Sequence, residues 1–306
     1  MLLYYALGGG YGHITRAMSV IHTLGIKEEV LLLTSLEHTL EDTPFKILPS
    51  NVIPLDCPHY DFSQKLKLQA FIQDIIEHHD VSQAFVDTFP MGIFGELDFL
   101  QEHIPLTHIA RILKWQNYTK YITATQHRFQ TTYVIETLHS DHLHWLNRHS
   151  DHVFPLPLTH MKYSHEKVAQ ALSQALRREI SESWLVVHSG PRHEIHELLL
   201  FVKEVQEIEN ARPPIVLICP GEYETTPELA KLDISQCNLY PAYPLFPLAK
   251  RIFTGCGFNV MSELKTCSKK HHFIPFDRVF DDQHFRAANY NKQYRNSKKT
   301  HKPETA

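Results

Sequence analysis

A strand that runs straight into a glycine-rich turn and then a helix constrains this chain most. Leu2 to Leu7 is a short apolar run of the kind a buried parallel strand needs. Gly8-Gly9-Gly10-Tyr11-Gly12-His13 follows at once, and then Ile14, Ala17, Met18, Ile21 and Leu24 recur at helical spacing. This is the first half of a βαβ unit. Glycines let backbone turn tightly and approach a ligand. The helix start adds unpaired N–H groups and a partial positive charge, so phosphate is the natural guest. The turn is not a P-loop, since no Gly-Lys-Ser/Thr follows. His13 stands where the dinucleotide fingerprint has its last glycine.

The pattern continues along the chain. Val30 to Thr34 predicts a strand, Leu68 to Ile76 a helix, and Ala84 to Val86 a strand ending at Asp87. Thr107 to Ile112, Thr132 to Ile135, and Val153 with Phe154 read as further strands before Pro155 and Pro157. A second series then opens with a helix carrying Val168, Ala171, Leu172, Ala175 and Leu176. Trp184 to Val187 reads as a strand, His188 to Pro191 as a turn, and Ile195 to Val205 as a helix. Strands at Ile215 to Cys219, Arg251 to Thr254 and His272 to Ile274 complete it, with Gly255-Cys256-Gly257 turning into a helix near Asn259.

The fold class is therefore α/β, with two Rossmann-like parallel-sheet domains, and a length of 306 residues suits two cores. The boundaries predicted are 1–157, 158–290, and a flexible basic tail at 291–306. Ligands of such sheets bind at the carboxyl ends of the strands, so a cleft between the domains is the expected site.

Composition narrows the function. Apolar residues make up 43% and charged residues 21%, as in globular proteins, and the net charge of −4 does not favour nucleic acid as a partner. No apolar run reaches the roughly 20 residues of a membrane helix, and the start lacks the pattern of a signal peptide. Cys57, Cys219, Cys237, Cys256 and Cys267 form no CxxC pair, which predicts reduced thiols in a cytoplasmic protein. Of the 23 histidines, His139, His142, His144, His149 and His152 are the densest group. They match no ligand motif, so they are expected on a solvated helix and loop surface, with no metal bound.

His13, at the helix start, could take a proton from an acceptor hydroxyl, cap the helix, or bond a phosphate. The positive helix end would keep it neutral. Arg16, one turn along, supplies charge or a surface pair. In the second series, Thr254 to Asn259 leads to Glu263, whose carboxylate could accept bonds from two ribose hydroxyls or simply sit favourably in the helix dipole. Asp277 and Asp281-Asp282-Gln283 suit sugar hydroxyls or solvent.

These residues, in this order, resemble the GT-B glycosyltransferases. The likeness rests on Gly8 to His13 with Arg16, on Gly255-Cys256-Gly257 leading to Glu263, and on Pro275-Phe276 leading to Asp282-Gln283 and Ala287-Ala288-Asn289. It is closest to the branch of the N-acetylglucosaminyltransferase of peptidoglycan lipid synthesis, glycosyltransferase family 28. Asp87-Thr88-Phe89-Pro90 with Gly92, Gly95 and Glu96 also looks like a strand-end motif of predicted glycosyltransferases.

The resemblance implies an inverting, metal-independent transferase moving a hexose or N-acetylhexosamine from a UDP-type donor to a hydroxyl acceptor, lipid-linked or glycan. It implies no cofactor beyond the nucleotide-sugar co-substrate. Ser189, Gly190, Gly255, Gly257, Asn259, Glu263, Asp282 and Gln283 would bind the donor, with His13 catalytic. Gly9, Gly10, Gly12, Arg16 and Asp87 would line the phosphate and acceptor side. A UDP-N-acetylglucosamine 2-epimerase and a non-catalytic nucleotide- or glycan-binding protein share the fold and stand as alternatives. Two departures weigh on activity: Pro191 removes an N–H donor, and little apolar chain follows Tyr290 to form the C-terminal helix that commonly crosses back to the first domain. Lys292, Arg295, Lys298, Lys299 and Lys302 would either touch anionic headgroups at the inner face of the membrane or stay solvated.

Overall fold

The computed structural model describes residues 1–8, 11–35, 48–57, 64–122, 127–160 and 165–300. The chain forms two compact units. Unit 1 contains the described residues up to His160 and those from Asp277 onward, and unit 2 those from 165 to Phe276.

Unit 1 is built on seven parallel strands: β1 (Leu2–Tyr5), β2 (Val30–Thr34), β3 (Val52–Asp56), β4 (Gln83–Asp87), β5 (Leu106–Ala110), β6 (Phe129–Val134) and β7 (Ser150–Pro155). Their order is β3-β2-β1-β4-β5-β6-β7. The intervening helices are α1 (Gly12–Leu24), α2 (Lys65–His78), α3 (Trp115–Tyr118) and α4 (Ser140–His149). The central strands read as unbroken apolar runs because both faces are covered: all of Leu2-Leu3-Tyr4-Tyr5 and all of Val30 to Thr34 are buried. The sequence shows no strand at β3, which lies on the sheet edge, is largely exposed, and carries Pro54. Proline is tolerated only where a ladder donor can be lost.

Unit 2 opens with α5 (His165–Leu176), then β8 (Trp184–Val187), α6 (Arg192–Ile208), β9 (Ile215–Ile218), β10 (Ile234–Cys237), β11 (Arg251–Gly255), α7 (Phe258–Glu263) and β12 (His271–Ile274). Its five strands are parallel, ordered β10-β9-β8-β11-β12. Edge strand β10, Ile-Ser-Gln-Cys, is half-buried throughout and has no apolar run to betray it.

The C-terminal segment corrects the sequence reading. The sequence puts residues 158–290 in the second domain and a flexible tail after them. Instead the chain belongs to unit 1 from Asp277, and α8 (Gln283–Thr300) is a helix of 18 residues. It lacks an apolar stripe, and its first turns are held both by Phe285, packed against the cluster of Ala110, Ile112, Leu138 and Leu146, and by Arg286, which makes a two-pronged bond to Glu136 at 2.7 and 2.8 Å. A C-terminal helix thus exists, within unit 1. Lys302 lies outside the described residues, and among those described no helix is long and apolar enough to cross a membrane.

The histidine group is also less solvated than expected. His142 is fully buried on α4, stacked 4.2 Å from the Trp115 ring, and His149 stacks 4.1 Å from Trp145. Among the described residues no group of three or more His, Cys, Asp or Glu gathers as metal ligands. His108 and His127 flank Phe129 at 5.0 and 4.9 Å; burial pushes both imidazoles down to about 4 and also lowers that of His142 well below its ordinary value.

These histidines predict acid sensitivity. Their folded pKa lies below the unfolded value of about 6.5, so between pH 6.5 and 4 the unfolded chain binds protons that the folded one refuses. Urea unfolding at pH 5 should show a loss of about 2 kcal/mol from each of His108 and His127 relative to pH 7.5. His127→Phe should remove its share of that dependence. A stability flat across this range would contradict their burial as neutral groups.

Candidate active site

Both sheets reverse their strand order once, at β1/β4 in unit 1 and at β8/β11 in unit 2. The carboxyl ends of strands flanking such a reversal splay apart and leave a crevice. Most of the candidate side chains stand at these two places.

In unit 1, β1 delivers the glycine turn and β4 ends on Asp87. Gly8 has φ +151°, and a Cβ there would stand 2.3 Å from His13 Nε2, so only glycine lets the imidazole lie against the turn. Gly9 and Gly10 lie outside the described residues, and Gly12 opens α1. His13, next along α1, places Nδ1 2.7 Å from Asp87 Oδ2. Arg16, one turn on, sends Nε to Asp87 Oδ1 at 2.6 Å and Nη2 to Oδ2. Helical spacing thus puts the imidazole and guanidinium on one carboxylate. The structure joins His13 and Arg16 of the first motif directly to the Asp87 carboxylate.

Charge fixes the protonation states. Burial alone would push the Asp87 carboxyl up, but Arg16 and the hydrogen bonds from His13 and Arg16 outweigh it and hold it well below the usual carboxylate range. Burial, then the charge of Arg16, pulls His13 below its ordinary value against the opposing pull of Asp87. Imidazole is therefore neutral near pH 7. Asp87 is ionised and only accepts, so the proton sits on Nδ1 and the lone pair on Nε2. Arg16 Nη2, 3.0 Å from the same Nδ1, spends its hydrogens on Asp87 and on Thr88 Oγ1, the latter at 2.9 Å. Phe89 flanks the imidazole with ring centroids 6.5 Å apart.

Thr88, just past β4, adopts φ +70°, a strained backbone for a β-branched residue. Its Oγ1 also accepts from Arg111 Nε at 2.9 Å. Arg111 in turn bonds Asp281 at 2.6 Å. The sequence gives no sign of this contact, because its two partners lie 170 residues apart.

Asp282 and Gln283 differ most from expectation. Both lie in unit 1, not with the donor-domain residues. Asp282 Oδ1 accepts from the Phe285 N–H at 2.9 Å, capping α8, while Oδ2 lies 3.0 Å from His139 Nε2. Gln283 is buried at the start of α8.

In unit 2, the Ser189–Pro191 turn follows β8 and the Gly255–Asn259 turn follows β11, and these strands pair directly, with Val187 opposite Thr254. The two expected donor turns thus leave adjacent strand ends. Ser189 is exposed, and Gly257 precedes α7, which contains Asn259 and ends at Glu263. Glu263 is half-exposed by surface area, yet the surrounding protein pushes its carboxyl up to about 8. Sequence reasoning missed one pair here: His188 Nε2 lies 2.6 Å from Glu194 Oε2, and a Cβ on Gly190 would come within 2.4 Å of that imidazole. A histidine at a strand end, with a carboxylate in the first turn of the next helix, was the available signal.

No protein-family profile matches the chain, and no curated protein sequence does. Solved structures are similar. The glycotransferase of kitacinnamycin aligns over 95% of this chain and 84% of its own at TM-score 0.59 and 14% identity. UGT2 of Phytolacca americana, complexed with UDP-2fluoro-glucose and pterostilbene, aligns over 95% and 83% at TM-score 0.56 and 14% identity. UDP-N-acetylglucosamine 2-epimerase of Rickettsia bellii aligns over 92% and 80% at TM-score 0.54 and 10% identity. At such identities the likeness is one of architecture: the protein has the two-domain, Rossmann-like GT-B fold.

The buried Asp87 pair predicts a large and specific loss of stability. Asp87→Asn leaves Arg16 buried without a full counter-charge and should cost about 3–5 kcal/mol in urea unfolding. The double variant Arg16→Met, Asp87→Leu should recover most of it. A single variant as stable as the parent would contradict the pairing.

Proposed function

We propose that the protein is a glycosyltransferase that moves a hexose or N-acetylhexosamine from a UDP-type donor to a hydroxyl acceptor with inversion. The observation that carries this reading is the neutral His13 imidazole held by Asp87 at the strand-order reversal of unit 1. The glycosyltransferase fold neighbours add to it.

In this proposal His13 Nε2 takes the acceptor's hydroxyl proton as that oxygen bonds the anomeric carbon and the carbon–oxygen bond to the diphosphate breaks. Asp87 keeps the Nδ1 proton in place and offsets the imidazolium charge that forms. The donor belongs to unit 2. Glu263 meets the ribose hydroxyls: its carboxyl, pushed up to about 8, is protonated near pH 7 in the free protein, and hydroxyl donors arriving with the ligand would favour its ionised, acceptor-only form. Backbone N–H groups of the turns at Ser189-Gly190 and Gly257 to Asn259 take up the charge of the leaving diphosphate, so no metal is required. Pro191 contributes no donor there. Asp282, already engaged with His139 and the start of α8, is left out of the donor site. The reading carries a cytoplasmic location with it, and the acceptor could be lipid-linked or a glycan.

The same donor separates the neighbouring chemistries. Incubated without acceptor, it should slowly release UDP; isomerised sugar would instead identify an epimerase, and no binding at millimolar donor would remove both. With an acceptor, His13→Ala should lower kcat by about 10²–10⁴-fold. Glu263→Ala should chiefly raise the donor KM. The acid limb of kcat/KM should fall below pH 6.5, because the His13 value is lowered and the base is lost only as it protonates. Full turnover in both variants would refute the proposed site.

A further inference from the structure

The ionic network around Asp87 does not stop at the candidate base. The Thr88 hydroxyl is fully engaged: Oγ1 accepts from Arg16 Nη2 and from Arg111 Nε, both at 2.9 Å, and faces Asp87 Oδ2 at 3.3 Å as its donor. A hydroxyl with one proton and two lone pairs can do no more. Arg111 reaches the other way, with Nη1 on Asp281 Oδ1 at 2.6 Å. Arg286 bonds both Asp281 oxygens, at 2.7 and 3.1 Å, and both Glu136 oxygens. Glu136 Oε1 finally accepts the Ile112 N–H at 2.8 Å, next to Arg111 in the chain.

Three guanidiniums meet three carboxylates: Arg16, Arg111 and Arg286 with Asp87, Asp281 and Glu136. All three arginines are buried. Burying so many charges is costly and adds little to stability, so a role in fixing geometry is the stronger account. The charges acting on His13 come from α1 (Arg16), the end of β4 (Asp87) and the residue after β5 (Arg111). Thr88, strained at φ +70°, is the only one of these residues to touch Arg16, Asp87 and Arg111 at once among the contacts described.

We infer that Arg111, locked by Asp281 and Arg286 of the returning C-terminal segment, is a positioning residue for the His13–Asp87 pair and acts on it through the Thr88 hydroxyl. The inference rests on the proposed role of His13. Arg111 need not touch substrate. It holds Thr88, which shares Arg16 and Asp87, and its charge bears on the imidazole. A segment some 190 residues beyond Asp87 in the chain thereby completes the setting of the base.

Two readouts test this, one of them independent of turnover. The first is kcat and donor KM against pH. The second is the pH dependence of His13 acylation by diethyl pyrocarbonate, which attacks unprotonated imidazole, followed by peptide mass spectrometry. Arg111→Gln removes a cation facing His13, so the midpoint of both profiles should move to higher pH, and Arg111→Lys should return it toward that of the parent. Thr88→Val keeps the shape and loses the oxygen; it should lower kcat at least tenfold with donor KM within twofold and change His13 acylation, whereas Thr88→Ser should stay close to the parent. If Arg111→Gln does not fold, the Thr88 pair decides. Acylation profiles of Arg111→Gln and Thr88→Val that superimpose on the parent's would overturn the inference. Altered acylation in a protein that shows no sugar transfer would leave the coupling standing and refute the proposed reaction instead.

Discussion

One buried carboxylate organises unit 1 around its strand-order reversal. Asp87 has no exposed surface, so its charge must be neutralised from within. Arg16 does this with two hydrogen bonds, and His13 adds a third from Nδ1. The consequence runs outward in two directions. On the helix side it sets the tautomer of His13, leaving Nε2 as the basic atom beside the glycine turn. On the strand side it fixes Thr88, and through it Arg111 and the C-terminal segment. A surface carboxylate could have been satisfied by solvent and would have dictated none of this.

The same topology in unit 2 does different work. The strand-order reversal at β8/β11 again gathers two turns, but here a histidine comes from the strand end and a carboxylate from the helix, as His188 and Glu194. Glu263 faces a different balance from Asp87. Asp87 is buried and counter-charged, so its pKa falls; Glu263 is half-buried, and desolvation with no cation to offset it pushes its carboxyl up to about 8. One carboxyl is committed to a buried guanidinium and imidazole, the other is raised by burial alone.

Legibility in the sequence followed burial. Strands covered on both faces, such as Val30 to Thr34, announce themselves as apolar runs; edge strands β3 and β10 do not, because half of each is solvent-facing and Pro54 interrupts one of them. His13 and Arg16 were legible because the glycine turn fixes the helix start, and Asp87 because it ends a strand. That all three meet was not legible, since neither spacing nor composition reports which strand lies beside β1. The helix α8 was missed for a related reason. Its hold on unit 1 rests on a single packed turn around Phe285 and on Arg286 reaching Glu136, 150 residues away, and neither leaves a periodicity to read. Asp282 and Gln283 lie in unit 1 together with it.

Nitrogen-15 NMR of the His13 imidazole near pH 7 tests the central claim most directly. A proton on Nδ1 held by Asp87, with an unprotonated, lone-pair-bearing Nε2, is the predicted state, and Asp87→Asn should disturb it. A His13 that is doubly protonated at pH 7, or that carries its proton on Nε2, would contradict the account.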